Sequence, residues 1–134
     1  MEEISRLSSI EQIRSTKARY FRALDERDWE LFAGTLATDV VFEHPTIGRH
    51  RGRDATTTAV RDRIEALSFT AHHGSNAEVQ VHSPDRASGI WSLHSAIRVA
   101  DGPLRDGYGR YFDTFRPEDG SWRIATLRLV HLYK

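Results

Sequence analysis

Hydrophobic positions in the first half of the chain recur at three- and four-residue steps. The first stripe consists of Ile10, Ile13, Lys17, Tyr20, Phe21 and Leu24. It predicts an amphipathic helix of about five turns, capped by Ser8 or Ser9. Asp28 is placed to cap a second helix, and Asp54 to start a third that buries Val60. The first half is therefore predicted to be mainly helical.

The pattern changes to a period of two after Ser68. Alternation of apolar and polar residues predicts four strands, at 77–82, 89–99, 108–116 and 122–133. Pro117 and Gly120 mark a hairpin turn before the last strand. Helices followed by hairpin-linked strands predict an α+β domain over residues 1–134. We expect a cone-shaped, curved antiparallel sheet, with three N-terminal helices across its concave face enclosing a pocket.

Composition removes several classes of function. The 134 residues include 19 basic and 19 acidic side chains, so the formal net charge is zero. Nucleic-acid and anionic-membrane binders usually carry a strong positive field, so neither partner is expected. Cysteine is absent, which excludes thiol catalysis and thiolate metal sites. No apolar run approaches the roughly 20 residues of a membrane span, and the first residues do not resemble a signal peptide, so a cytoplasmic location is expected.

Seven histidines are the most promising source of chemistry in this neutral chain. They are scattered, and none has the H-x-H, H-x-x-x-H or H-E-x-x-H spacing of a metal site, so no metal is predicted. Glycine motifs for phosphate or dinucleotide binding are also absent, and no cofactor is predicted.

Three residues could combine into an acid–base site. Asp25 lies at the end of the first helix, near its apolar face, where a carboxylate opposes the helix dipole. A solvated helix end is an equally good interpretation of this residue. Tyr20 lies beside the stripe, and His72 and His73 open the first long strand, pointing to opposite faces. A histidine that faces a carboxylate across a pocket would be a general base. Gly74 predicts a bulge or a close approach next to them.

Four further residues are candidates for contact with a ligand. Ser95 interrupts an apolar strand face that also carries Trp91, and His131 lies on an apolar face of the last strand. The Ser95 hydroxyl could instead donate a hydrogen bond to a backbone carbonyl. Trp91 and Trp29 are the expected aromatic lining of the pocket.

Several segments resemble the SnoaL-like family of the nuclear-transport-factor-two-like superfamily. The segments are Lys17–Trp29, Leu36–Asp39, His72–Glu78, Ala87–Trp91, Gly107–Phe115 and Asp119–Ile124. Each motif is loose, but their order and spacing cover nearly the whole chain. The likeness extends to the bile acid 7α-dehydratase, scytalone dehydratase and hexachlorocyclohexane dehydrochlorinase groups of enzymes.

The resemblance implies roles for individual residues. Asp25 and His72 match a dyad that abstracts a proton, and Tyr20 matches a tyrosine of the bile acid enzymes. Ser95 and His131 stand where those enzymes have an aspartate and an arginine, so the bile acid substrate is not carried over. The relatives form dimers or trimers, which implies a homodimer or homotrimer here.

Three hypotheses on function follow. The first is a cofactor-independent lyase or isomerase, in which His72 removes a carbon-bound proton from a small, largely apolar, cyclic substrate. The second is a non-catalytic ligand-binding or dimerisation module, which predicts that Asp25 and His72 are too far apart to bond. The third is a polyketide cyclase or hydrolase; the loss of the strand aspartate at Ser95 weighs against an epoxide hydrolase.

Overall fold

A computed structural model describes residues 1–133. Its three helices are α1 (Glu3–Glu26), α2 (Trp29–Gly34) and α3 (Arg53–Glu65). Its six strands are β1 (Leu36–His44), β2 (Gly48–Arg51), β3 (Phe69–Ser83), β4 (Arg86–Arg98), β5 (Arg105–Glu118) and β6 (Ser121–Tyr133). The predicted α+β class is confirmed. The predicted domain runs to residue 134, and Lys134 lies outside the described residues.

The six strands form one curved sheet in the order β2-β1-β6-β5-β4-β3. Consecutive strands from β3 to β6 pair antiparallel, as predicted for hairpin-linked strands. β1 pairs antiparallel with β2 but parallel with β6, so the sheet is mixed instead of wholly antiparallel. The difference arises because β1 enters the sheet from α2 and not through a hairpin, which leaves its direction free of the antiparallel rule.

The helices differ from expectation mainly at their ends. α1 begins at Glu3, and Ser9 is buried inside it, so neither serine caps the helix. Asp28 caps α2 as predicted, because its side chain accepts a hydrogen bond from the backbone N–H of Leu31 at 3.0 Å. α3 begins at Arg53, after Gly52 with φ of 95°. None of these three helices has both the length and the apolar character that membrane crossing requires within residues 1–133.

A buried ion pair joins α1 to the middle of the sheet. Lys17 Nζ lies 2.7 Å from Asp113 Oδ2, and both side chains are fully buried. Nζ also lies 3.6 Å from the ring centre of Tyr111 and 4.2 Å from that of Tyr20, at cation–π distance. Burial lowers the pKa of Lys17 to about 8 and raises that of Asp113, and the pairing offsets part of each shift. Lys17 on the apolar stripe is therefore a core residue.

Gly74 lets α1 approach β3 closely. A Cβ atom at this position would lie 2.1 Å from Phe21 Cε2, far inside contact distance. Asn76, two residues on, has φ of 55°, and the pairing with β4 shifts register between Ser75 and Glu78. The predicted bulge and close approach are both confirmed.

We expect Gly74→Ala to destabilise the protein by about 1–3 kcal/mol, because the added methyl group must displace Phe21 or the helix that carries it. Gly34→Ala is the matched control, because a Cβ there meets nothing within 4 Å and alanine favours a helix. Urea unfolding measures both. Equal stability of the two variants would contradict the prediction and show that Phe21 moves aside at little cost.

Replacing Lys17 alone tests the ion pair. Lys17→Met leaves the Asp113 carboxylate buried without a counter-charge, so we expect a loss of about 3–5 kcal/mol in the free energy of unfolding. The double variant Lys17→Met/Asp113→Leu removes both charges and should recover most of that loss. Chemical denaturation at neutral pH provides the measurement, and a double variant no more stable than the single one contradicts the prediction.

Candidate active site

A cavity of about 430 Å³ lies between the helices and the concave face of the sheet. Its wall includes Tyr20 and Leu24 from α1, side chains of α3 between Val60 and Ile64, and residues from β3, β4, β5 and β6. The volume lies in the lower part of the ~300–1,000 Å³ range of small-molecule sites. The predicted pocket is therefore present in the described structure.

Asp25 and His72 are in direct contact beside this cavity. His72 Nδ1 lies 2.7 Å from Asp25 Oδ1, which also accepts a hydrogen bond from Thr70 Oγ1 at 2.9 Å. Asp25 Oδ2 accepts the backbone N–H of His72 at 2.7 Å. Burial alone would raise the pKa of Asp25, but the hydrogen bonds from His72 and Thr70 outweigh it and hold that pKa below its usual value. Asp25 is thus a carboxylate held in place by three donors.

The contact determines which nitrogen of His72 can react. An ionised carboxylate only accepts hydrogen bonds, so Nδ1 must be the donor. Nε2 of the neutral ring then has a lone pair, and His72 forms part of the cavity wall. A lone pair of this kind can take a proton from a molecule in the cavity while Asp25 stabilises the resulting imidazolium.

Tyr20 and Tyr111 reach the same cavity from opposite sides of the core. Both residues are only 2 % exposed to solvent, and their ring centres lie 5.9 Å apart in an edge-to-face arrangement. Burial, the neighbouring Tyr111 and the Asp113 carboxylate raise the pKa of Tyr20 well above its usual value. Burial likewise raises the pKa of Tyr111. Both remain phenols, so they can donate hydrogen bonds but do not act as bases near neutral pH.

The other predicted contact residues separate into two groups. Ser95 and His131 line the cavity. Trp91 does not appear in its wall; the indole covers Gly89 and packs 5.7 Å from Phe115, centre to centre. Trp29 lies half-buried against Phe32 on α2. Trp91 belongs to the buried core, although it shares a strand face with Leu93 and Ser95 of the cavity wall, and the partly buried Trp29 packs against that core.

His44 lines the cavity and was not among the predicted site residues. Its Nδ1 accepts hydrogen bonds from the backbone N–H groups of Thr46 and Ile47, at 3.0 and 3.1 Å. A nitrogen that accepts carries no hydrogen, so the neutral ring carries its hydrogen on Nε2. Burial, followed by the charges of His131, Arg63 and His72, lowers the pKa of His44 to about 4. The His-Pro turn after β1 was the available sequence signal.

Metal binding is not supported by side-chain grouping. Within residues 1–133, no three histidine or carboxylate side chains converge closely enough to hold an ion.

We expect the His44 ring to stay neutral, with its hydrogen on Nε2, from about pH 5.5 to 8. Long-range ¹H–¹⁵N NMR spectra report this tautomer, and His44→Asn identifies the signals by their loss. Because the folded pKa lies below the unfolded value of 6.5, the unfolded chain binds more protons between these values. Stability should therefore fall as pH drops from about 6.5 to about 4. A ring that titrates near pH 6.5 in the folded protein contradicts both expectations.

Solved structures share this architecture over nearly the whole chain. A scytalone dehydratase-like protein from Novosphingobium aromaticivorans DSM 12444 is 23% identical with a TM-score of 0.91, covering 98% of this chain and 89% of its own. Hexachlorocyclohexane dehydrochlorinase LinA-type3 from Novosphingobium barchaimii LL02 is 19% identical with a TM-score of 0.89, covering 98% and 92%. A protein of unknown function from Mycobacterium tuberculosis is 28% identical with a TM-score of 0.80, covering 91% and 75%.

The first two likenesses show a common fold and, at their low identity, no more than that. The curved sheet and helices therefore form the cone-shaped fold that the sequence predicted. A family model described as the SnoaL-like domain matches residues 5–128. With almost the entire chain matched, the protein belongs to the SnoaL-like family.

Proposed function

We propose that this protein is a cofactor-independent lyase or isomerase that removes a carbon-bound proton from a small, largely apolar, cyclic substrate. The observation that carries the proposal is the 2.7 Å contact between His72 Nδ1 and Asp25 Oδ1 at the wall of the cavity. It leaves Nε2 of His72 as the base and Asp25 as the group that orients the ring. A general lyase- or isomerase-like role also fits the family and its structural neighbours.

The reaction follows from the position of these groups. Nε2 of His72 takes a proton from a carbon next to a carbonyl group, and the electron pair of the broken C–H bond moves toward the carbonyl oxygen. Tyr20, Ser95 and His131 supply hydrogen-bond donors at the cavity wall for the charge that develops on this oxygen. In an isomerase the proton returns at another carbon. In a lyase the pair expels a group from the adjacent carbon, and the imidazolium proton can leave with it.

The names of two neighbours favour elimination over isomerisation. One is named for a dehydratase, which removes water from its substrate, and one for a dehydrochlorinase, which removes hydrogen chloride. Both reactions begin at a carbon-bound hydrogen and need no electron transfer. The cavity of about 430 Å³ suits a ring compound more than a polymer or a protein segment.

Deuterium exchange tests the proton transfer without knowledge of the natural substrate. 1-Tetralone in D₂O exchanges the hydrogens beside its carbonyl group, and mass spectrometry measures the rate. We expect the protein to accelerate this exchange. His72→Gln and Asp25→Asn should lower the acceleration by about 10²–10⁴-fold, the usual contribution of a general base. 3-Hydroxy-1-tetralone, which loses water and tautomerises to 1-naphthol, tests elimination in the same samples.

His82→Gln is the matched control, because His82 is exposed and bonds Ser88 away from the cavity. It should exchange at the wild-type rate. Unchanged exchange in both His72→Gln and Asp25→Asn contradicts the mechanism. A wild-type protein that binds 1-tetralone without accelerating exchange favours the alternative of a binding module.

A further inference from the structure

Three polar side chains that line the cavity come from three separate elements and lie near one another. We call His44, Arg63 and His131 the donor wall; they lie on β1, α3 and β6, and all three line the cavity. The rings of His44 and His131 meet edge to face at 6.2 Å. Arg63 lies close enough for its charge to act on His44. The proton abstraction proposed above does not require Arg63 or His44.

His44 contributes a donor with a fixed direction. The turn at Thr46 and Ile47 occupies Nδ1 through two backbone N–H groups. Nε2–H is therefore the one polar hydrogen of the ring, and the ring stacks on Phe42 with an interplanar angle of 8°. Stacking on one side and the turn on the other hold this hydrogen in place. A ligand oxygen would meet it without rearrangement of the protein.

Arg63 contributes a half-buried positive charge without a protein partner. Its guanidinium makes no ion pair or hydrogen bond with the part of the chain that the structure describes, whereas Arg61 on the same helix contacts Asp62. The carboxylate found in the cavity wall, that of Asp106, bonds to His94 at 2.9 Å. Arg63 lies in the last turn of α3, where a cation also complements the helix dipole. The interaction with the helix dipole does not by itself explain why Arg63 lines the cavity.

We propose that the donor wall binds a carboxylate, so that the substrates are small cyclic carboxylic acids. A guanidinium offers two parallel N–H groups that match the two oxygens of a carboxylate, and His44 supplies a further donor from the side. A neutral ring compound would leave Arg63 in the wall without a counter-charge. As a statement about substrate, the proposal rests on the proposed function; as a statement about binding, it can be measured without turnover.

Two ligands of equal shape, one charged and one neutral, separate the effect of ligand charge on binding from the effect of ligand shape. 1-Naphthoate and 1-naphthamide differ in charge at the same position, and isothermal titration calorimetry gives both dissociation constants. We expect the wild-type protein to bind 1-naphthoate at least 10-fold more tightly. Arg63→Gln should reduce this preference by about 10- to 100-fold, as expected for a charge-assisted hydrogen bond. Arg63→Lys should retain part of it because the charge remains.

Two further variants separate recognition from structure. Arg61→Gln, on the exposed side of the same helix, should keep the wild-type preference. His44→Asn keeps an acceptor at the position of Nδ1, so the turn survives while the Nε2–H donor is lost. It should weaken 1-naphthoate binding with a thermal midpoint close to that of wild type. A merely structural role of either residue would lower the thermal midpoint and leave the preference intact.

His72→Gln distinguishes this proposal from the proposed function. It should lower the acceleration of deuterium exchange into 1-tetralone by about 10²–10⁴-fold and keep the preference for 1-naphthoate. Exchange without any preference for 1-naphthoate in the wild-type protein, or a preference that survives Arg63→Gln, overturns the carboxylate site alone. Failure of the wild-type protein to bind either ligand overturns it too.

Discussion

The buried contact between Lys17 and Asp113 is the constraint on which the site depends. Two opposite charges with no exposed surface tolerate little displacement, because any gap leaves each without compensation in a medium of low dielectric constant. The pair fixes α1 against β5 at one point of the helix. Tyr20 follows about one turn later and Asp25 about two turns later along the same helix. The position of the carboxylate beside β3 is therefore set by a pair of residues that never contacts the cavity.

The rings around Lys17 explain how the core accepts its charge. Asp113 Oδ1 is buried and finds no hydrogen-bond partner among the described residues, so the pair is not completely satisfied. The ring centres of Tyr111, Tyr20 and Phe21 lie 3.6, 4.2 and 5.2 Å from Nζ. Their faces carry partial negative charge, which replaces part of the lost hydration. Two of these rings are also the phenols that reach the cavity, so core stability and the polarity of the site share the same side chains.

β3 completes the dyad because it is an edge strand. Its backbone pairs with β4 on one side, and β3 has no strand partner on the other in the described sheet. The N–H of His72 is available on that open edge and donates to Asp25 Oδ2. Gly74 brings the helix close enough for this contact, since any side chain there would meet Phe21. The Asp25 carboxylate on α1 thus accepts a hydrogen bond from the open edge of β3 and also orients the His72 ring.

The spacing of apolar residues and the turn residues predicted the elements that depend only on neighbouring residues in the sequence. The amphipathic stripe of α1, the Asp28 cap and the four long strands follow from spacing and turn chemistry. The pairing of Asp25 with His72 came from the family resemblance, because no spacing rule joins residues 47 positions apart. The short strand β2, the parallel pairing of β1 with β6 and the inward position of His44 were missed. Each depends on which distant segment lies alongside, and the sequence pattern of a single element does not contain that information.

The distribution of charge in the cavity likewise depends on which distant segments the fold brings together. The predicted substrate is largely apolar and the formal net charge of the chain is zero, yet charged side chains lie apart from one another within the site. Asp25 at the end of α1 bonds His72 on β3, and the donor wall stands at β1, α3 and β6. In the proposed reaction His72 takes a proton while the donor wall holds the carboxylate of the substrate, so these donors must not themselves compete for the proton. Because burial lowers the pKa of His44 to about 4 and the turn occupies its Nδ1, the neutral His44 ring offers one donor, Nε2–H, and no free acceptor. Base and donor are therefore compatible in one cavity because their hydrogen-bond partners hold the two neutral rings in opposite tautomers.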